Sequence, residues 1–156
     1  MKIIIAGCGK VGYTIAKSLS AESWTDVTII DVRNEAFDKA AESMDAMLVK
    51  GDVLSAQTLI EAGASSADLF IGVTEADEKN ILCCILAKHL GAEYTIARVR
   101  DPRHSAGYNK FWMDLGLDLL INPEQETARE ISRLLRFPSA EDIDTFVEGR
   151  DRKSVV

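Results

Sequence analysis

The sequence KIIIAGCGKVG at residues 2–12 joins an apolar, β-branched run to three glycines in the spacing G-x-G-x-x-G. A helix-like segment follows, and then VTIID at residues 27–31, a second such run that ends in an acid. This order of strand, glycine turn, helix, strand and acid is typical of folds that bind an adenosine dinucleotide. Gly7 permits the tight turn, Gly9 lets the backbone approach a pyrophosphate, and Gly12 lets helix and strand pack closely.

Asp31 lies 19 positions after Gly12, near the interval of about 20 residues at which an acid reaches the ribose hydroxyls. The pyrophosphate would sit at the helix N-terminus, whose unpaired N–H groups favour an anion. We therefore predict a nucleotide site that includes Gly7, Cys8, Gly9, Lys10, Val11, Gly12, Asp31, Val32 and Arg33. The alternative is a tight strand-helix turn without a ligand, in which Asp31 is only a turn residue.

The composition is that of one globular domain with a sizeable core. The 156 residues are 47% apolar and 28% charged, and 18 basic against 25 acidic side chains give a net charge of −7. Because no basic stripe is present, we expect no nucleic-acid partner. The opening apolar run is too short for a signal-peptide core or a membrane span, so we expect no direct membrane insertion.

Three cysteines, Cys8 and the adjacent Cys83 and Cys84, form neither a disulfide framework nor a C-x-x-C metal knuckle. They indicate a reducing cytoplasm, with Cys83 and Cys84 as core thiols of a helix.

Apolar strand-like runs alternate with helix-like segments along the chain. The runs lie at residues 2–6, 26–31, 46–50, 68–73, 94–99 and 118–122, and the segments at residues 10–21, 34–44, 55–62, 77–90, 104–115 and 124–135. Strands that are apolar on both faces and alternate with helices predict a parallel sheet covered on both sides. With the glycine fingerprint at the start, the pattern predicts an α/β fold, a Rossmann-like doubly wound parallel six-stranded sheet in the order 3-2-1-4-5-6.

The end of the third predicted strand supplies Gly51, Asp52 and Val53. Ligands of such sheets bind at the carboxyl ends of the strands, so Asp52 and Val53 could flank an adenine. The alternative is that Gly51 and Asp52 simply cap the next helix.

Further candidates follow the fourth and fifth strands. Thr74 and Glu75 head the turn after the fourth strand, and Asn80 lies at the start of the next helix. A ligand role for Thr74 competes with N-capping by Thr74 or Asp77. Arg98 interrupts an apolar strand, and its guanidinium needs an anionic partner, either a ligand phosphate or a structural carboxylate.

No catalytic or metal-ligating set is predicted. Tyr13 and Lys17 have the Tyr-x-x-x-Lys spacing of short-chain dehydrogenases, but they lie on the first helix, where such a pair does not belong. His89 and His104 have no further ligands at metal-site spacing. A hydride-transferring enzyme needs a substrate pocket, usually from a second domain, and no sequence remains to build one. We therefore predict that the chain is not an enzyme.

The ordered set of motifs resembles the N-terminal nucleotide-binding domain of TrkA-type proteins, known as TrkA-N, RCK or KTN domains, along essentially the whole chain. The matching residues are the glycine turn at 7–12, Asp31, Gly51 and Asp52, Thr74 with DEKN at 77–80, Arg98 within ARV, INPE at 121–124 and the last helix.

The resemblance implies a cytoplasmic regulatory domain at the inner face of the membrane that binds NAD(H) or ATP/ADP and controls a membrane potassium-translocating subunit. It implies a homo-oligomer, a dimer or higher ring, in which the helix at 124–135 packs on a neighbour. Residues 1–136 would form the nucleotide-binding domain, and residues 137–156 a linker or the start of a following domain.

The resemblance also implies roles for single residues. Asp31 would hold the adenosine ribose, the glycine turn the phosphates, Asp52 and Val53 the adenine, and Arg98 and Thr74 the distal phosphate or nicotinamide half.

Two other functions stay open at this stage, namely the cofactor domain of an NAD-dependent dehydrogenase and a pure oligomerisation module. The choice between NAD(H) and ATP/ADP also stays open, because the glycine turn and Asp31 contact only the ADP half that both share. Asp31 argues against a ligand with a 2′-phosphate, because a carboxylate would repel it. Arg33, two residues later, leaves the preference between a 2′-hydroxyl and a 2′-phosphate open.

Overall fold

Six parallel strands form one sheet in the computed structural model, which describes residues 1–105 and 109–136. The strands are β1 (Lys2–Ala6), β2 (Asp26–Asp31), β3 (Met47–Lys50), β4 (Leu69–Gly72), β5 (Tyr94–Arg98) and β6 (Leu119–Ile121). Their order across the sheet is β3-β2-β1-β4-β5-β6, and every neighbouring pair is parallel. The predicted α/β, Rossmann-like doubly wound fold and its strand order are confirmed.

The helices between the strands are α1 (Lys10–Ser20), α2 (Asn34–Ser43), α3 (Ala56–Glu61), α4 (Asp77–Leu90), α5 (Pro102–Ser105) and α6 (Asn109–Asp114), and α7 (Pro123–Arg136) follows β6. The helix predicted over residues 104–115 falls on α5 and α6 in its described parts, and residues 106–108 within it lie outside the described residues. Pro102 starts α5 early because its fixed φ suits a first helical turn. Gly116, with a φ of +104°, follows α6, as glycine commonly does at helix ends.

The first strand shows why the apolar runs lack polar alternation. Ile3 and Ile5 belong to one buried cluster, and Ile4 and Ala6 belong to the other, on the opposite face of the sheet. Because successive side chains of a strand point to opposite faces, both faces of β1 need apolar residues. The helices on each side complete the two cores.

The chain divides into two units, Met1–Asn122 and Pro123–Val156. Helix α7 is the described part of the second unit, and ion pairs one turn apart join Glu126 to Arg129 and Glu130 to Arg133. The predicted boundary after residue 136 stays a prediction, and the predicted linker at 137–156 lies outside the described residues. Within the described part of the chain, no helix combines the length and apolar composition needed to cross a membrane.

Candidate nucleotide-binding site

A cavity of about 360 Å³ opens among residues that follow the strands, where β1 lies between β2 and β4. Doubly wound sheets bind their ligands at this kind of switch point. Of the predicted site residues, the cavity is lined by Gly7, Gly9, Lys10, Val11, Asp31, Val32, Arg33, Gly51, Asp52, Val53, Thr74, Glu75 and Arg98. The fold therefore brings segments that are far apart in sequence to one place.

The three glycines of the turn have different surroundings. Gly7 has a φ of +108°, a conformation that side-chain-bearing residues rarely adopt. A Cβ on Gly12 would lie 1.9 Å from the carbonyl oxygen of Gly7, so Gly12 permits the close packing of α1 on β1. A Cβ on Gly9 would meet only Nη2 of Arg33, at 4.0 Å. Gly9 therefore leaves open space at the cavity wall.

The start of α1 is free of side chains that would compete with an anion. Gly9 is the N-cap residue, no side chain caps the helix, and no acid lies in its first turn. The first N–H groups of a helix have no partner within the helix, and the dipole favours negative charge at this end. The site therefore suits a phosphate group here.

Asp31 ends β2 and ties the glycine turn to the second strand. Its Oδ2 accepts a hydrogen bond from the Cys8 backbone N–H at 2.8 Å, and its Oδ1 accepts one from the Arg33 backbone N–H at 2.9 Å. The Arg33 guanidinium donates to both oxygens, each at 3.1 Å. Burial raises the pKa of Asp31, but these hydrogen bonds more than offset it, so the pKa lies below its usual value. Asp31 is therefore a buried, charged acceptor.

Asp52 does not cap the helix that follows it, so the capping alternative is wrong. Ser55 is the N-cap residue of α3, and its side chain accepts a hydrogen bond from the Thr58 backbone N–H. Asp52 instead accepts from the Leu54 backbone N–H at 2.9 Å, a local turn that leaves it on the cavity wall.

Asn80 organises the turn after β4 from behind the cavity. Its Oδ1 accepts hydrogen bonds from the backbone N–H and the hydroxyl of Thr74, at 2.6 and 2.7 Å. Its Nδ2 donates to the carbonyls of Thr74 and Arg98, at 3.2 and 2.8 Å. A side-chain amide offers two donors and an acceptor oxygen, so this buried residue is fully engaged and positions Thr74. The N-cap of α4 is Ala76, so neither Thr74 nor Asp77 caps that helix.

Cys8 and Gly12, like Asn80, are predicted site residues that do not line the cavity. Burial raises the pKa of the Cys8 thiol, and its backbone N–H is already bonded to Asp31. Cys8 and Gly12 shape the turn.

The cavity carries a net positive charge although the chain is acidic. Five basic and three acidic side chains line it, the basic ones being Lys10, Arg33, Lys79, Arg98 and Arg100, and the acidic ones Asp31, Asp52 and Glu75. The chain as a whole has a net charge of −7, so this charge is local and favours an anionic ligand. In the described residues no group of three His, Cys, Asp or Glu side chains is placed to hold a metal ion.

Sequence reasoning missed four lining residues, Ile30, Val73, Lys79 and Arg100. Ile30 and Val73 lie directly before the predicted site residues Asp31 and Thr74, so their position at the ends of strands could have predicted them. Lys79 lies in the first turn of α4 and Arg100 two residues after β5, where a basic side chain looks like an ordinary solvated one.

Comparison with known proteins gives a consistent result. Residues 3–123 match the family model described as the TrkA-N domain. A Trk system potassium uptake protein TrkA homolog from Archaeoglobus fulgidus is 37% identical over 96% of this chain and 34% of its own length. One from Methanosarcina mazei is 38% identical over 97% of this chain and 38% of its own length. The chain thus spans little more than a third of these relatives.

Solved structures share the fold at lower identity. The TrkA-N domain of the inner membrane protein ybaL from Escherichia coli has a TM-score of 0.73 at 19% identity, covering 86% of this chain and 96% of that one. The GsuK channel bound to NAD has a TM-score of 0.62 at 18% identity, covering 76% and 21%. An AMP-bound Kef domain from Shewanella denitrificans has a TM-score of 0.65 at 22% identity, covering 96% and 92%. By its sequence match over residues 3–123, the chain belongs to the TrkA-N domain family.

Proposed function

We propose that this chain is a regulatory domain that binds an adenine nucleotide and controls potassium uptake. The observation that carries the proposal is the basic cavity in which the uncapped start of α1 lies beside the buried carboxylate of Asp31. The first feature suits a pyrophosphate and the second suits a ribose.

The ligand would extend from the glycine turn along the strand ends. Its phosphates would lie at Gly9 and Lys10 and its ribose at Asp31, with the adenine against Asp52 and Val53. Thr74, Glu75 and Arg98 would line the distal part of the ligand, and Asn80 would hold Thr74 in place. NAD(H) and ATP/ADP both fit this description, because they share the ADP half.

The names of the relatives support the link to potassium. The Archaeoglobus and Methanosarcina proteins are Trk system potassium uptake proteins, and structures of the same fold hold NAD and AMP. The chain would act in the cytoplasm, at the inner face of the membrane, on a membrane potassium-translocating subunit. A nucleotide can drive such a change only if it binds one conformation more tightly than another.

Helix α7 is proposed as an assembly helix within a nucleotide-binding domain of residues 1–136. Its Ile131 and Leu135 are apolar and 43% and 75% exposed, which suits a helix that packs on a neighbouring protomer. Residues 137–156 would then link to a further domain.

The test is a calorimetric titration of the purified chain with NADH and, separately, with ATP, repeated on Asp31→Asn. The substitution keeps the shape and removes the charge, so we expect the affinity of the bound nucleotide to fall about tenfold or more, the range of a lost charged hydrogen bond. Asp101→Asn is the matched control, because Asp101 also pairs with an arginine two residues later but lies outside the cavity.

Binding that is lost in Asp31→Asn and kept in Asp101→Asn supports the site, and the tighter nucleotide identifies the signal. No heat and no thermal stabilisation with either nucleotide would overturn the proposal, because a ligand of the native state must stabilise it. Turnover of NADH with a small substrate would favour a dehydrogenase instead.

A further inference from the structure

The carboxylate of Asp31 has no acceptor position left for a ligand in the arrangement that the structure shows. Two backbone N–H groups, those of Cys8 and Arg33, and two guanidinium N–H groups of Arg33 converge on its two oxygens. A carboxylate has about four acceptor sites, so all of them are in use.

The guanidinium occupies the positions that a ribose would need. Nε of Arg33 donates to one oxygen and Nη2 to the other, each at 3.1 Å. A ribose with free 2′- and 3′-hydroxyls also presents two neighbouring donors to such an acid. The diol and the Arg33 side chain therefore compete for the same two oxygens.

The Arg33 side chain is exposed enough to move away from Asp31 when a ligand displaces it. It is 54% exposed, whereas Asp31 is 8% exposed. It lines the cavity, and its Nη2 lies 4.0 Å from the Cβ position of Gly9. The guanidinium thus lies between Asp31, which is proposed to bind the ribose, and the glycine turn, which is proposed to bind the phosphates. A planar guanidinium is well suited to pair with phosphate oxygens.

We propose that Arg33 sets the preference of this site at the adenosine 2′-position, competing with a free ribose diol for Asp31 and pairing with a 2′-phosphate. The inference rests on the proposed nucleotide function. It gives the site a tolerance for 2′-phosphorylated ligands, because the guanidinium can pair with the 2′-phosphate while its positive charge stays close to Asp31 and offsets the repulsion between the two anions.

A second pair in the chain supplies the matched control. Asp101 accepts hydrogen bonds from the backbone N–H and the guanidinium of Arg103, two residues later. Neither residue lines the cavity. Arg103→Gln therefore removes the same charge from the same type of turn without touching the proposed site.

The experiment titrates the wild-type chain, Arg33→Gln, Arg33→Lys and Arg103→Gln with NADH and with NADPH, two probes that differ only in the 2′-phosphate. In Arg33→Gln we expect NADPH affinity to fall about tenfold or more, by loss of charged hydrogen bonds, and NADH affinity to rise. Arg33→Lys keeps the charge but loses the planar pair of guanidinium donors, so it should retain more NADPH affinity than Arg33→Gln. Arg103→Gln should leave both affinities within about twofold of wild type, since surface charges act weakly.

Two results would overturn the inference while leaving nucleotide binding intact. One is equal weakening of NADH and NADPH in Arg33→Gln, which would make Arg33 a general phosphate contact. The other is wild-type binding of NADH with no detectable NADPH binding. Failure of the wild-type chain to bind NADH, NADPH or ATP would instead overturn the proposed function itself.

Discussion

Gly12→Ala and Gly9→Ala should separate the packing role of one glycine from the ligand role of the other. In Gly12→Ala the new Cβ would lie 1.9 Å from the Gly7 carbonyl oxygen, so the two atoms must part by about 1.5 Å to reach ordinary contact at 3.4 Å. The obstacle is backbone, and the Gly7 N–H is bonded to the Ile30 carbonyl at 2.8 Å, so it cannot move aside cheaply.

Overpacking of this kind costs about 1 to 3 kcal/mol, and a backbone clash belongs at the upper end. Alanine in place of glycine within a helix recovers about 1 kcal/mol. We therefore expect the free energy of unfolding of Gly12→Ala to fall by about 2 kcal/mol.

In Gly9→Ala the new Cβ meets only the end of the flexible Arg33 side chain, and the Gly9 φ of −74° suits alanine. Reduced freedom of the unfolded chain gains about 0.4 to 1 kcal/mol, and a poorer N-cap loses a similar amount. Stability should stay within about 1 kcal/mol of wild type. The methyl group would nevertheless stand where the pyrophosphate approaches, so nucleotide affinity should fall about tenfold or more.

Urea unfolding followed by circular dichroism measures the first effect and calorimetric titration with NADH and ATP the second. Wild-type stability of Gly12→Ala, or equal destabilisation of both variants, would refute the packing argument. Unchanged nucleotide affinity in a folded Gly9→Ala would refute the placement of the pyrophosphate.

Two further predictions concern the hydrogen bonds of Asn80 and of Asp118. Asn80→Ala should lower the free energy of unfolding by about 2 to 3 kcal/mol, because it removes a buried amide whose oxygen accepts from the Thr74 N–H and whose nitrogen donates to the Arg98 carbonyl. A loss below about 0.5 kcal/mol in urea unfolding would contradict this role of Asn80. Asp118 is half-buried, which raises its pKa, but hydrogen bonds from Lys88 and the Thr95 backbone outweigh this and lower it. Its stabilisation is therefore present above a pH of about 4 and lost as pH falls through its folded pKa. Urea midpoints at about pH 7 and pH 3 should differ less in Asp118→Asn than in wild type. An equal difference in both proteins would show that Asp118 is not a source of this pH dependence.

The fold could be predicted because its signals are local and repeated. Runs such as IIIA in β1 need apolar residues on both faces, and six such runs separated by helices leave few topologies other than a doubly wound sheet. The helix boundaries were less predictable, since the helix predicted from residue 104 begins at Pro102 in the structure. Periodicity alone does not fix the residue at which a helix begins.

The site could be predicted in part, since strand ends in this fold converge on one edge. The role of each residue within the site could not be predicted, because these roles depend on contacts between residues that are distant in sequence. Asn80 and Thr74 look alike as polar residues near a helix start, yet Asn80 bonds across to the carbonyl of Arg98 and lies buried, while Thr74 lines the cavity. Ser55, three residues past Asp52, takes the capping role that the sequence analysis considered for Gly51 and Asp52.

The two Asp-x-Arg pairs show most clearly what sequence leaves undecided. Asp31 with Arg33 and Asp101 with Arg103 form the same turn, each with the arginine backbone and guanidinium donating to the acid. The difference lies in position, because Asp31 is 8% exposed at the strand switch and Asp101 is 27% exposed outside the cavity. The turn is thus a local preference of the chain, and the sheet makes one copy part of a candidate site. Any role of Arg33 in nucleotide choice must therefore be measured against Arg103, whose chemistry is the same and whose location is not.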